Sequence, residues 1–338
     1  MRVKSHNSAH RATHLVDARL AALRRWLAGP LAGPHFSLAP ASADASFRRY
    51  FRATLADGRS YVAMDAPPDQ EDCGRFVHVA GLLRAAGVHA PLVHAQDLAQ
   101  GFLLLEDLGR STYLDALNQD NAGALMRDAT AALIKWQLAT RPGELPPYDE
   151  PLLRREMALF PEWYAERHLA RPFSRAQAAA FDSVCALLVA SALAQPAVYV
   201  HRDYMPRNLM LSEPSPGVLD FQDAVIGPIT YDIASLMRDA FLSWDEERVL
   251  DWTVRYWEGA KQARLPVQAD FADFWRAFEW MGLQRHLKVL GIFARLTHRD
   301  GKEKYAADTP RFVGYARDVA RRYNALAPLA RLLDELER

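Results

Sequence analysis

His201-Arg202-Asp203-Tyr204-Met205-Pro206-Arg207-Asn208, with Asp220-Phe221-Gln222 further on, is the stretch from which the rest of the chain can be read. Three short apolar runs frame it: Val198-Tyr199-Val200, Leu209-Met210-Leu211 and Gly217-Val218-Leu219. Apolar runs of this length, parted by turn residues, read as strands. Polar side chains of particular kinds then stand at strand ends. Asp203 is a carboxylate suited to orient a hydroxyl and accept its proton. Asn208 and Asp220 are hard oxygen donors of the kind that hold Mg²⁺. The hairpin 209–219 is expected to bring both to one mouth. His201 is expected to support the loop by packing and hydrogen bonding. Asp232, ahead of an apolar helix, reads as an N-cap that also anchors the loop from below.

Working outward, the N-terminal side is strand-rich. Residues 36–65 read as strands, with Asp57-Gly58 as the turn before Ser60-Tyr61-Val62-Ala63-Met64. A helix fits 71–86, and strands fit 91–97 and 101–106, the run Phe102 to Leu105 being apolar enough for a buried central strand. Before all of these, 15–28 has the spacing of an amphipathic helix. Beyond residue 110 helical periodicity dominates, at 121–139, 150–168, 174–194, 232–242, 245–262, 270–296 and 310–336. The expected architecture is α+β and bilobal. A small β-rich N-lobe spans 1–108, and a larger, mainly helical C-lobe spans 109–338.

The bulk numbers exclude several partners. The 338 residues carry 41 basic and 41 acidic side chains and no formal net charge. Nothing global therefore argues for nucleic acid or an anionic membrane surface. No run of 18 uncharged apolar residues stands out as a membrane span, and no apolar signal segment precedes residue 17. Cys73 and Cys185 lie far apart, outside metal-type spacing, and read as packed free thiols. A cytoplasmic protein is expected. Its oligomeric state is not written in the sequence.

The pattern H-R-D-x-x-x-x-N followed by Asp-Phe is that of a kinase catalytic loop, so ATP and Mg²⁺ are the expected cofactors. Glu106-Asp107-Leu108-Gly109 then occupies the hinge, with the Glu106 carbonyl and the Leu108 N–H as candidates to bond adenine. The resemblance is closer still in Ser46 to Phe51, Met64 to Pro68, 201–211, Gly217 to Asp232, and Gln284 to Arg295. These segments resemble the bacterial anomeric N-acetylmuramate/N-acetylglucosamine kinases. That family lies in the aminoglycoside-phosphotransferase-like, protein-kinase-like superfamily. The resemblance implies a protein-kinase-like fold. It also implies ATP-dependent phosphorylation of the C1 hydroxyl of N-acetylmuramate (MurNAc) and N-acetylglucosamine (GlcNAc) to the α-1-phosphates used in peptidoglycan recycling.

The chain departs from the general kinase pattern in three places. No lysine occurs between Lys4 and Lys135, so the usual phosphate-holding lysine of the third strand is missing. The first hairpin, Ala41 to Ser46, lacks glycine, although backbone N–H groups alone can cradle phosphate. Met205 stands where many kinases carry a second lysine. Arg48, Arg49, Arg52 and Arg207 are the candidate replacements, because arginine holds phosphate bidentately. Which of Arg48 and Arg49 faces a nucleotide is open, since adjacent strand residues point to opposite faces.

The resemblance places an acceptor pocket beside the late helices. Residues 281–304 hold Arg285, Lys288, Arg295, Arg299, Lys302, Lys304, His286 and His298. Such a region suits an anionic acceptor better than a polycationic one, with Arg285 and His286 as substrate candidates. The ordinary reading of such a run is a solvated helix face. Trp163, Trp275 and Trp280 read either as sugar-stacking or as core aromatics. Two alternatives stay open. One is an aminoglycoside or other small-alcohol phosphotransferase. The other is a nucleotide-binding pseudokinase, suggested by the missing lysine and opposed by the presence of Asp203, Asn208 and Asp220 together.

Overall fold

The β-forming runs of the first hundred residues pair into one antiparallel sheet. In the computed structural model, which describes residues 18–42 and 47–337, the strand order is β1-β2-β3-β5-β4. The strands are β1 (Phe36–Ser42), β2 (Arg49–Leu55), β3 (Ser60–Asp65), β4 (Val93–Asp97) and β5 (Phe102–Glu106). Gly58, at φ +87°, supplies the left-handed residue of the β2–β3 turn. Phe102 to Leu105 are all buried, as a central strand requires. Helix α1 (18–27) lays Leu23 and Leu27 on the sheet against Ala63, Phe102 and Leu104. Helix α2 (Cys73–Ala85) is capped by Asp72, whose side chain accepts from the N–H groups of Gly74 and Arg75.

This first compact unit comprises 1–110 together with Leu211–Gln222. The latter segment carries the short strand β8 (Gly217–Val218) and is tied in where Val218 N donates to His89 O at 2.7 Å. One buried acid locks the unit. Asp65, at the end of β3 and fully buried, takes Arg19 of α1 on one oxygen and Arg49 of β2 on the other. Both guanidiniums keep about a quarter of their surface in water. Removing the buried acid leaves two cations, each with 27 % of its side chain in water, without their shared anion. Asp65→Ala is expected to cost about 3 kcal/mol, read as a lower urea midpoint at unchanged m-value. A loss under about 0.5 kcal/mol would assign the triad to the surface-pair class.

The second unit, Ser111–Met210 with Asp223–Arg338, is mainly helical. Its elements are α3 (Tyr113–Ala116), α4 (Ala122–Leu138), α5 (Glu150–Met157), a π-helical stretch (Phe160–His168), α6 (Arg175–Leu193), β6 (Ala197–Val200), β7 (Leu209–Met210), β9 (Val225–Pro228), α7 (Tyr231–Met237), α8 (Glu246–Gln262), α9 (Phe271–His298), α10 (Thr309–Arg322) and α11 (Ala327–Leu336). Two expected helices are broken. The 150–168 pattern splits at Pro161 into α5 and the π-helical stretch, and 310–336 splits at Asn324–Leu326, with Pro328 opening α11. Proline lacks the N–H that a helix interior needs and is tolerated in a first turn.

Helix α6 alone among the described helices is long and apolar enough to span a bilayer, with a mean hydropathy of 1.6, and a third of it is buried inside the unit. Helix α9 is the spine, with Met281 to Gly291 buried throughout. At Gly291 it touches bare backbone: a Cβ there would lie 2.4 Å from the carbonyl carbon of Leu159. No other residue fits without displacing one of the two segments.

Candidate active site

Strand β6 delivers the loop 201–208 from the interior of the second unit. His201 is 1 % exposed and packs edge-on against Tyr204 at 5.6 Å, and the Tyr204 hydroxyl donates to Ala129 O at 2.7 Å. Thr230 holds the N-cap position of α7, so the N-cap reading of Asp232 is corrected. Asp232 lies in the first turn and spends its oxygens on the loop. Its Oδ2 accepts from His201 N at 2.7 Å and its Oδ1 from Arg202 N at 3.0 Å. Full burial pushes this carboxyl up to about 7 against the two N–H donors and the Arg285 charge, which favour ionisation.

Arg202 sits at φ +77°, a conformation that costs a non-glycine residue about 1 kcal/mol or more. On its far side Asp203 N donates to His201 Nδ1 at 3.3 Å, and Asn208 Nδ2 closes the loop on Asp203 O at 2.9 Å. That bond uses the amide nitrogen of Asn208 and leaves its carbonyl oxygen, a hard donor, for another partner. The loop backbone around Asp203 is thus pinned without any use of the Asp203 carboxylate.

In the first unit, Asp220 is also left-handed, at φ +60°. Its Oδ1 accepts from Gln222 Nε2 at 2.9 Å, and Arg48 Nη2 stands 3.8 Å away. Phe221 is fully buried against Phe76 of α2, with ring centroids 4.7 Å apart. Strained backbone at a carboxylate held beside a guanidinium suits a metal-and-phosphate site.

This geometry has relatives. The sequence profile of the phosphotransferase enzyme family matches residues 37–269. N-acetylmuramate/N-acetylglucosamine kinases are similar to the chain over almost its whole length. The one from Pseudomonas putida is 58 % identical over 90 % of this chain and 89 % of its own. The one from Pseudomonas aeruginosa is 55 % identical, covering 95 % and 97 %. The chain belongs to the phosphotransferase enzyme family and is a kinase. Among solved structures, a choline/ethanolamine kinase family protein from Mesorhizobium loti aligns with a TM-score of 0.62 at 14 % identity, over 92 % of the kinase and 99 % of that chain. An ADP-bound aminoglycoside phosphotransferase aligns at 0.58 and 14 % identity, over 88 % and 98 %. At such identities the likeness shows the protein-kinase-like fold.

The kinase sorts its candidate arginines by place. Arg48, just ahead of β2, is the one beside Asp220, with Glu71 at 3.5 Å. Arg49 is committed to Asp65. Arg52 clasps the segment after β5, donating to both oxygens of Asp107 at 2.6 and 2.9 Å and to Gly109 O at 2.7 Å. Arg207 is exposed and lies over Phe241 at 4.9 Å. Within the same segment Leu108 is buried, and the Glu106 carboxylate is occupied by Leu92 N, His89 and Arg84 at 3.0, 3.2 and 3.4 Å. Burial works to raise the Glu106 pKa, and these donors outweigh it and hold the carboxyl below its usual range. The Glu106 side chain is thus not left for a ligand, and its N–H donates to Leu92 O at 2.9 Å. Residues 43–46 of the first hairpin lie outside the described residues.

The basic run of α9 is not a solvated face along 285–288. Arg285 is 2 % and His286 1 % exposed. Arg285 lies within the charge fields of Asp232 and Asp239, yet its Nε and Nη1 make no hydrogen bond. His286 is walled by the rings of Tyr315 and Phe312 at 5.2 and 5.5 Å, and burial pushes its pKa well down, so the imidazole is neutral. The three tryptophans each meet a neighbour in their own unit: Arg167 over Trp163, Phe278 stacked on Trp275, Tyr323 edge-on to Trp280. Sequence reading missed Glu156, which meets Arg202 and Lys288 at 2.6 and 2.9 Å. Its one signal is position: with Leu153 and Met157 it lies on the buried face of α5, where periodicity calls for an apolar residue.

Proposed function

We propose that this kinase transfers the γ-phosphoryl of Mg-ATP to the anomeric C1 hydroxyl of N-acetylmuramate and N-acetylglucosamine, giving the α-1-phosphates recycled into cell wall in the cytoplasm. The observation that carries the reading is the identity above 50 % to sugar kinases along nearly the full chain, with Asp203, Asn208 and Asp220 all present. In this reading Asp203 orients the sugar hydroxyl and takes its proton as the new P–O bond forms. Asn208 and Asp220 are the side chains that would hold Mg²⁺, which would supply neutralisation of the phosphate charge. Arg48 serves the phosphates in place of the absent lysine, as its position beside Asp220 suggests. Backbone groups of Glu106 and Leu108 hold adenine. Little covalent work falls to the protein, so positioning and charge supply the rate.

The test is ADP release with Mg-ATP and, in parallel, MurNAc, GlcNAc, their C1 methyl glycosides and kanamycin. Turnover is expected with both free sugars and with neither glycoside, because the glycosides have no C1 hydroxyl. Turnover of the glycosides would move the acceptor to another hydroxyl. Turnover of kanamycin alone would replace the substrate class.

A further inference from the structure

One buried carboxylate joins α5, the catalytic loop and α9. Glu156 Oε1 receives Arg202 Nη2 at 2.6 Å and Lys288 Nζ at 2.9 Å. Its Oε2 receives the Tyr148 hydroxyl and, at 3.4 Å, Gln284 Nε2. Lys288 also donates to the Tyr231 hydroxyl at 3.1 Å. Burial works to raise the Glu156 pKa, but the Lys288 and Arg202 cations hold it at about 2, so the group is an anion at any working pH. Two cations and one anion are therefore held out of water, and apolar side chains of similar volume would fill the space as stably or more so. Stability alone does not account for the trio.

Its place does. Arg202 adjoins Asp203 and holds the left-handed backbone on which the direction of the next side chain depends. Asp232 fixes the N–H groups of His201 and Arg202 from one side. Those two bonds alone leave the Arg202 side chain untethered. Glu156 supplies that second tether, and Asp223 O, at 3.3 Å from Arg202 Nη1, extends it.

We propose that Glu156 is a positioning residue for phosphoryl transfer, holding Arg202 so that the left-handed turn aims the Asp203 carboxylate at the acceptor hydroxyl. The inference rests on the reading of Asp203 as the acceptor's base. Lys288 balances the charge of Glu156 and ties the bracket to α9.

Steady-state kinetics of Glu156→Gln test it. kcat is expected to fall about 100-fold, the scale of a misplacement near 1 Å, while KM for Mg-ATP and for the sugar stays within about threefold. Glu156→Gln leaves two buried cations without their anion and can lower stability, so Glu156→Gln/Lys288→Met is measured beside it. That double variant removes one charge of each sign. Its melting temperature is expected to return toward wild type while kcat stays low. A cycle with Arg202→Met completes the test: if Glu156 acts through Arg202, the loss in the double variant is no larger than in either single variant.

Recovery of kcat along with the melting temperature, or additive losses in the cycle, would overturn the proposal and leave Glu156 a core residue. Any hydrolysis of Mg-ATP by water is followed in every variant. A wild-type enzyme that hydrolyses ATP but ignores the sugars overturns the acceptor reading. The ratio of variant to wild-type hydrolysis still decides the role of Glu156.

Discussion

Asp203→Asn is expected to lower kcat about a thousandfold, within the 10²–10⁴ that a positioned general base supplies, and to leave Mg-ATP affinity within about threefold. The two halves of this expectation have separate grounds. The loss follows because an amide still accepts a hydrogen bond from the sugar hydroxyl but cannot take its proton. Retained ATP affinity follows from how the loop is held. His201 N and Arg202 N are satisfied by Asp232, Asp203 N by His201 Nδ1, and Asp203 O by Asn208. None of these bonds uses the Asp203 carboxylate, so its exchange for an isosteric amide leaves the frame in place. Single-turnover ADP formation gives the first quantity and calorimetric ATP titration the second. A loss of tenfold or less would remove Asp203 from the role of base.

Asp232→Ala should be comparably severe, for a different reason. It removes the acceptor from two backbone donors at once, and each stranded buried N–H costs about 1–3 kcal/mol. A stability loss of about 3 kcal/mol is expected, together with at least a hundredfold drop in kcat as the left-handed turn at Arg202 loses its support. The pH dependence carries a sign. Burial raises the Asp232 carboxyl to about 7 in the folded protein, above its unfolded value near 4. Between those values the folded state binds more protons than the unfolded state, so stability falls as pH rises. The contribution is fully present below about pH 4 and lost above about pH 7. The advantage of wild type over Asp232→Ala in urea should therefore be larger at pH 5 than at pH 8, by the order of 2–4 kcal/mol. An unchanged advantage would mean that the two N–H donors keep the carboxylate ionised throughout.

What the sequence disclosed, it disclosed through local signals. Strand runs bounded by turns, helices with a 3.6-residue stripe and the catalytic-loop spacing are all short-range patterns, and most elements lie where those patterns put them. Most of the misses were non-local. Arg48 and Arg49 are indistinguishable as neighbours in a string, and their separation depends on Asp65, across the sheet on β3, and on Asp220, far along the chain. The charges of α9 read either as an acceptor wall or as a solvated face, because the partners that let Lys288 be buried, Glu156 and Tyr231, belong to other helices. The breaks at Pro161 and Pro328 were legible in principle, but periodicity on both sides outweighed them.

The close approach at Gly291 has a consequence for how this enzyme can be altered. Leu159 follows Glu156 along one segment as Gly291 follows Lys288 along the other, so the bare crossing also sets the registration of the two charged residues. A methyl group at position 291 would slide one segment along the other and uncouple a pairing several ångströms away. Randomised libraries that remodel α9 for new acceptors should find position 291 invariant among active clones, although it touches neither nucleotide nor sugar in the proposed reaction.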